Sequence, residues 1–476
     1  MNVILITIDS MRFGAISELS NSDDVVTPFL DQKVRQGATF MNAFATGSGT
    51  STSFPGILGG VLPFDFGYPG LSNHNTPIAE VLKNDGISTI GISGNIATSR
   101  VYSYDRGFTS FHDTVGNSLK DNLYSYILEH NKIFKLAKKT NQIIRSIKPS
   151  LESNSVPYIR AEDLNDIAVD MIEDCKDPYF AWLHYMDPHH PYSPPQSIFE
   201  EFDTKGYEID QINELVDNWS SRRPELSSDN KNDSELFTST EMEAIKETYN
   251  AEMAYVDSQI EALYKKITKS KDTEETIFIV CGDHGEEFLE HGHFSHRPKL
   301  FNELIHVPLI LFSNKDKFNT SISNPVSLSD IPPTVSRLFD SKSNSTWRGM
   351  PLTSKDLYTG RIKNQELEER DYIFSELAHE AGLGEEQSPE IAKISVVKYP
   401  WKYIYYNKNN AGRLYNIRDD PHETEAVLNE EVTDELHEQA QTRLSTLADG
   451  PHHKTENQST SSTAVQDRLE ALGYKE

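Results

Sequence analysis

The chain has 476 residues, 37% of them hydrophobic, enough for one large domain with a substantial core and a smaller companion. Its 73 acidic against 45 basic side chains give a formal charge of -28, a surface field that repels nucleic acid and argues against a nucleic-acid-binding role. No run of about 18 or more apolar residues occurs, so no integral membrane segment is expected.

The first apolar run, Val3-Ile4-Leu5-Ile6-Thr7-Ile8, reads as a buried strand ending at Asp9. Because these residues lack a basic start and a small-residue cleavage site, and form part of the core, the expected location is cytoplasmic. A hydroxyl-rich turn follows, Gly47-Ser48-Gly49-Thr50-Ser51-Thr52-Ser53, and then a short helix over Thr76 to Asp85 closed by Gly86. Further buried strands are predicted at Gly86 to Ser93, Tyr179 to Tyr185, Thr276 to Val280 and Val307 to Phe312. Apolar runs alternating with helical patterns predict an α/β fold with a mostly parallel sheet covered on both faces. A long helix starts near Thr238, where Thr238-Ser239-Thr240-Glu241 has the form of a capping box, and continues through Tyr249, Met253, Val256, Ile260 and Leu263.

Two segments interrupt this rhythm and read as insertions, at about 115–160 and 196–237. The first holds a basic amphipathic stretch, with Leu123, Tyr126, Ile127, Phe134 and Leu136 against Lys132, Lys135, Lys138, Lys139 and Arg145. Such a stretch suits a solvated helix packed on the core, or contact with an anionic substrate or membrane surface. After about residue 345 short alternating strands appear, Lys402 to Tyr406 and Arg413 to Ile417. The expected organisation is therefore a catalytic domain over 1–345, a small C-terminal α+β subdomain with an antiparallel sheet over 346–448, and a polar tail over 449–476 ending in a short helix. Cys175 and Cys281 read as inert buried thiols, with a disulfide as the alternative.

The chemistry concentrates at strand ends. Gly282-Asp283-His284-Gly285-Glu286-Glu287 follows the Thr276 to Val280 run, so Asp283 and His284, with Asp9, are candidate ligands for one divalent metal ion. The mixed oxygen and nitrogen set suits Zn²⁺, Mn²⁺ or Mg²⁺, and Ca²⁺ less well; the alternative is a turn capped by Asp283. A cation there would acidify a nearby hydroxyl, which makes Thr50 the candidate nucleophile and a further ligand. His184-Tyr185-Met186-Asp187-Pro188-His189-His190-Pro191-Tyr192 follows another strand and puts His189 on a proline-stiffened loop suited to an anionic ester. His291, His293, His296, Arg297 and Lys299 lie just past the metal motif as candidates for substrate oxygens and leaving group.

Taken together these stretches resemble the sulfatase branch of the alkaline phosphatase superfamily. The resemblance rests on Asn2 to Arg12, Thr50 to Gly60, Asp187 to Tyr192, Gly282 to Glu287 and Ile305-His306-Val307-Pro308-Leu309, in that order, with weaker echoes at Tyr249 to Asp257, Asp330 to Thr334 and Lys398 to Glu423. It implies an alkaline-phosphatase-like three-layer sandwich. There are departures. Where family members that mature a formylglycine carry Cys or Ser in a Cys/Ser-x-Pro-x-Arg signature, this chain has Thr50-Ser51-Thr52-Ser53-Phe54, and the family's paired aspartates are reduced to Asp9-Ser10. In this respect the chain is similar to Thr-nucleophile members of the superfamily, such as lipoteichoic acid synthases, phosphoethanolamine transferases and nucleotide phosphodiesterases.

The resemblance implies a sulfatase-like, metal-dependent hydrolase of a sulfate or phosphate ester, with Thr50 and His189 catalytic and His291, His296, Arg297 and Lys299 binding the anionic substrate. The alternatives are a phosphotransferase or phosphodiesterase acting on a glycan or lipid head group, favoured by the basic stretch, and a catalytically silent binding module, favoured by the missing aspartate and arginine.

Overall fold

The computed structural model of the chain describes residues 1–20, 26–66, 70–71, 75–114, 156–176, 178–222, 232–270, 274–315, 317–353, 370–379 and 388–449. The basic stretch at 118–150 and the tail beyond 449 lie outside the described residues. The strands are β1 (Asn2–Ile8), β2 (Ala38–Phe40), β3 (Ala43–Phe44), β4 (Ser88–Ser93), β5 (Ser110–Asp113), β6 (Tyr179–Tyr185), β7 (Thr276–Gly282), β8 (Leu309–Ser313), β9 (Thr320–Ile322), β10 (Val326–Ser327), β11 (Ile373–Leu377), β12 (Lys393–Lys398), β13 (Trp401–Tyr406) and β14 (Ala411–Asn416).

Apolar runs without polar alternation need a sheet buried on both faces, and β1, β6 and β7 are buried along their whole length. They form the middle of an eight-stranded sheet ordered β5-β4-β6-β1-β7-β8-β2-β9. β1 pairs in parallel with β6 and β7, β8 is antiparallel to β7 and β2 is antiparallel to β8. Along β1 the side chains divide by alternation. Val3 and Leu5 join a core with Phe54, Ile57 and Leu58 of helix Thr50–Gly59 and with Ile331 and Val335 of helix Ile331–Leu338. Ile4, Ile6 and Ile8 join the opposite core with Leu164 and Ala168 of helix Ala161–Glu173 and with Met253, Val256, Ile260 and Leu263 of helix Ser239–Ser270. The result is three layers, helices on both faces of a mostly parallel sheet.

The expected capping box is formed: Thr238 N–H donates to Glu241 Oε2 at 2.7 Å and Glu241 N–H to Thr238 Oγ1 at 3.2 Å. β8 starts at Leu309 rather than Val307, because Pro308 has no N–H to offer a ladder. The short strands β2, β5 and β9, of three or four residues, escape a reading based on periodicity.

The C-terminal subdomain is an antiparallel sheet, β11-β12-β13-β14, covered by helix Glu430–Asp449 through Leu436 and Ala440. It is stitched to the segment that leads into Thr50. Glu376 N–H donates to Thr46 O at 2.8 Å and Ser375 Oγ to Ala45 O at 2.6 Å. Glu376, fully buried, also meets Arg443 at 2.5 Å. No helix among the described residues is long and apolar enough to cross a membrane.

A buried carboxylate ties together two helices on one face of this frame. Helix Pro28–Gln36 has no side-chain cap of its own, and Asp257, from the middle of the long helix, accepts Phe29 N–H at 2.9 Å and Leu30 N–H at 2.8 Å. Asp257→Ala is expected to lower stability by about 1–2 kcal/mol, the cost of a lost cap, in chemical denaturation, and Asp257→Asn by less, since its amide oxygen still accepts.

Candidate active site

The parallel register fixes where chemistry can sit. Ile8 is opposite Tyr185 on one side and Gly282 on the other, so Asp9 and Asp283, each one residue further, emerge side by side at the carboxyl edge of the sheet. Both are fully buried. Asp283 Oδ1 accepts Ser10 N–H at 3.2 Å and His284 N–H at 2.7 Å, while Oδ2 has no hydrogen-bond partner. Burial and the charge of Asp9 both push the Asp283 carboxyl well above its usual range. At Asp9 burial works in the same direction, but His189, His184 and His284 outweigh it and hold its carboxyl low.

His284 completes the group. Its Nδ1 lies 2.8 Å from Gly285 O, an acceptor only, so Nδ1 carries the proton and the Nε2 lone pair is presented to the site. Nε2 lies 3.5 Å from Asp9 Oδ1 and 3.7 Å from Asp283 Oδ2. Ligand atoms of Asp9, Asp283 and His284 lie within 4.8 Å of one another. An orphaned buried carboxylate oxygen, a second carboxylate and a correctly tautomerised imidazole fit a divalent cation.

Thr50 opens helix Thr50–Gly59, after an extended Gly49, at the positive end of the helix dipole. Its Oγ1 is 3.3 Å from Asp9 Oδ2 and 3.4 Å from His284 Nε2. The turn before it has no room for a side chain at Gly47, where a Cβ would lie 2.3 Å from Thr52 Oγ1. Phe54, at the signature position where the resemblance expects arginine, turns into the core and packs edge-on against His184, with ring centroids 4.6 Å apart.

The remaining sequence candidates divide. His189 is buried, donates from Nδ1 to His190 O, and stacks obliquely 5.1 Å from His296. The His296 ring is 4.6 Å from that of His284 and its Nδ1 3.4 Å from Glu286. These two stand beside the Asp9 group. His291 is engaged elsewhere, stacked 3.6 Å from Phe301 with Nε2 3.1 Å from Glu303. Arg297 pairs with Asp233 at 2.7 Å and lies over Trp219. Lys299 is half-buried next to them, its N–H 2.6 Å from Arg297 O. Thus helix Ile209–Arg222 and the turn Asp233–Glu235, from the polar segment 196–237, grip the flank of the histidine cluster.

His291, Glu303 and Glu423 form a second group of ligand atoms within 4.8 Å. Its charges are already matched, because Lys402 is 2.8 Å from Glu423 and His422 is 3.0 Å from Glu303. It reads as an ion network between the C-terminal subdomain and the main sheet.

Four further residues touch the site. Asn95 Nδ2 donates to Asp9 Oδ2 at 2.9 Å, His184 Nε2 is 3.4 Å from the same oxygen, and Ser10 Oγ donates to Asp9 Oδ1 at 3.1 Å. Glu286 is buried beside His296 and its carboxyl is pushed up to about 7 by burial, against the pull of His189 and His284. The sheet-edge rule points to Asn95, two residues past β4, as it does to Asp9. His184 was masked by the apolar run around it.

The sequence model of the sulfatase family matches residues 1–341. The chain belongs to the sulfatase family. This sulfatase is similar to arylsulfatase K of Bos taurus, 24% identical over 447 residues that cover 89% of this chain and 77% of that protein. It is also similar to an arylsulfatase of Clostridium perfringens, 21% identical over 461 residues and covering 90% of each. Among solved structures, the phosphonate monoester hydrolase of Agrobacterium radiobacter superposes with a TM-score of 0.67 at 16% identity, covering 94% of this sulfatase and 95% of that chain. A structure in complex with its substrate D-glucosamine-2-N,6-O-disulfate gives 0.65 at 16% identity, with 95% and 99% covered. These relatives are hydrolases of sulfuric and phosphorus-oxygen esters, and this sulfatase is a member of that enzyme class.

Two outcomes are expected from this geometry. In chelator-treated protein Asp283→Asn melts at or above the parent temperature, since it removes a poorly compensated buried carboxyl; excess Mn²⁺ then raises the melting temperature of the parent more than that of the variant. The second concerns the ion network. Burial disfavours charged His291, but the hydrogen bond and charge of Glu303 outweigh it and raise its pKa above 6.5, while His291 and His422 bring Glu303 down to about 2 against burial. The raised imidazole stabilises below its unfolded value and loses this as pH rises through the folded one; the depressed carboxyl stabilises above its unfolded value and loses this as pH falls. The destabilisation caused by Glu303→Gln should therefore be larger at about pH 5.5 than at about pH 8.5 when denaturation is followed at both.

Proposed function

We propose that this chain is a metal-dependent ester hydrolase that uses Thr50 as nucleophile against a sulfate or phosphate ester, carried on an anionic glycan. The observation that supports it is the approach of Thr50 Oγ1 to within 3.3 Å of Asp9 and 3.4 Å of His284, two residues from strand ends far apart in the chain. One divalent cation, held by Asp9, Asp283 and His284, would supply the Lewis acidity that makes a threonine hydroxyl reactive at neutral pH. Zn²⁺, Mn²⁺ and Mg²⁺ suit this donor set better than Ca²⁺.

Thr50 Oγ1 donates a hydrogen bond to Asp9 Oδ2 at 3.3 Å. Attack by Oγ1, whose proton passes to water, forms one O–S or O–P bond to sulfur or phosphorus and breaks the bond to the leaving oxygen, which takes a proton from His189 or His296. A water molecule then attacks the Thr50 ester, releases sulfate or phosphate, and Oγ1 regains a proton. The helix N-terminus at Thr50 and the imidazoles of His189 and His296 supply the positive field for the transferred oxyanion.

Threonine carries a single hydroxyl, so its ester cannot collapse as that of a formylglycine diol does. Release depends on water reaching sulfur or phosphorus, which favours the phosphorus ester. Solved neighbours in this fold are described both as phosphonate monoester hydrolases and as a protein with a sulfated glucosamine substrate.

The test is a side-by-side assay of nitrophenyl sulfate, a phosphate monoester and a phosphodiester with Zn²⁺, Mn²⁺ and Mg²⁺. Turnover of one ester class should fall about 10³-fold or more in Thr50→Ala and survive in part in Thr50→Ser. Equal turnover in parent and Thr50→Ala would remove Thr50 from the reaction.

A further inference from the structure

A chain of hydrogen bonds runs through the buried sheet and ends at Asp9. Trp182 Nε1–H, which can only donate, reaches Thr7 Oγ1 at 3.0 Å. That hydroxyl therefore accepts once and has its own hydrogen to place. Two acceptors are in reach, His184 Nδ1 at 3.0 Å and Leu183 O at 3.3 Å. Trp182, Thr7, His184 and Asp9 have essentially no exposure, so no solvent enters this choice.

The far end of the imidazole decides between them. His184 Nε2 faces Asp9 Oδ2 at 3.4 Å and makes no hydrogen bond among the described residues. If Nδ1 carried the proton, directed at Thr7 O 3.3 Å away, the Nε2 lone pair would face a carboxylate oxygen in a buried site, two acceptors in opposition. With the Thr7 hydroxyl donating to Nδ1, an N–H dipole faces the carboxylate instead. The shorter contact and the better electrostatics choose the same tautomer.

Asn95 acts on the same oxygen from the end of β4, on the far side of β6. Its Nδ2 donates to Asp9 Oδ2 at 2.9 Å, while its Oδ1 is held by Ala97 N–H at 2.8 Å, which orients the amide. The register brings these groups together, since Thr7 is opposite His184 on β6 and His184 is opposite Ser93 on β4.

We infer that His184 and Asn95 are positioning residues for Asp9, with the His184 tautomer imposed by Trp182 through Thr7. They fix the direction of the carboxylate toward the space shared with Asp283 and His284, and so set the affinity of that space for a divalent cation. The inference rests on the proposed metal reading of those three residues. None of the four supporting side chains is assigned any contact with substrate or with the ion.

The readout is the affinity of the chelated full-length protein for Mn²⁺ alone, by calorimetry, with melting temperature recorded in parallel. Thr7→Val keeps the shape of the side chain and deletes the hydroxyl; it should weaken Mn²⁺ binding about 10-fold, the usual size of such an outer contribution. Thr7→Ser restores the hydroxyl and should bind within about two-fold of the parent. Should Thr7→Val fail to fold, Asn95→Ala carries the same test with the same expected loss. Parent-like Mn²⁺ affinity in the variant that is tested, or a loss in Thr7→Ser as large as in Thr7→Val, would overturn the positioning role while leaving the metal reading intact. A parent that binds no Mn²⁺, Zn²⁺ or Mg²⁺ would overturn both.

Discussion

Two carboxylates held side by side without exposure, at the ends of adjacent parallel strands, are the constraint on which the site depends. The ion pairs of Asp9 and Asp283 among the described residues are all with histidines, never with lysine or arginine. Burying like charges so close costs several kcal/mol unless something positive joins them. The neighbouring histidines meet the deficit only in part, as the raised Asp283 carboxyl and its unpartnered oxygen indicate. The fold imposes this arrangement through register, and what stabilises the sheet also brings together groups that could hold a cation.

The surroundings serve the same end. Ser10 stands where the family resemblance expects a second aspartate, in a left-handed conformation at φ 56°, and donates to Asp9 from its hydroxyl and to Asp283 from its backbone. Tyr249 OH holds its carbonyl at 2.9 Å. Where the resemblance expects a ligand, Ser10 thus gives two hydrogen bonds to the two candidate ligands Asp9 and Asp283. Phe54 makes a comparable exchange, giving up the charge of the expected arginine for packing against His184. The C-terminal sheet contributes at a distance, because β11 binds the segment leading into Thr50 and so fixes the start of its helix.

Much of this was legible in the sequence, and for identifiable reasons. The central strands β1, β6 and β7 are uniformly apolar, so their ends, and with them Asp9 and Asp283, were marked by the first polar residue after each run. Thr50 was legible only through its hydroxyl-rich turn and the family resemblance. His184 lies inside an apolar run and was not legible, while Asn95 follows a predicted strand and its proximity to Asp9, two strands away, is a product of register. His291 and Arg297 share the segment of His296, but chain proximity does not determine direction: Glu303 and Asp233, distant in sequence, draw their side chains away. The strands β2, β5 and β9 were too short to show a period.

The central claim is that Asp9, Asp283 and His284 share one cation within reach of Thr50. Anomalous scattering from a crystal soaked in Mn²⁺ addresses it without reference to substrate. The expected result is a single strong peak about 2.0–2.6 Å from carboxylate oxygens of Asp9 and Asp283 and from His284 Nε2, with Thr50 Oγ1 adjacent. A peak confined to the His291, Glu303 and Glu423 group, or an ordered site with no peak at saturating metal, would contradict it.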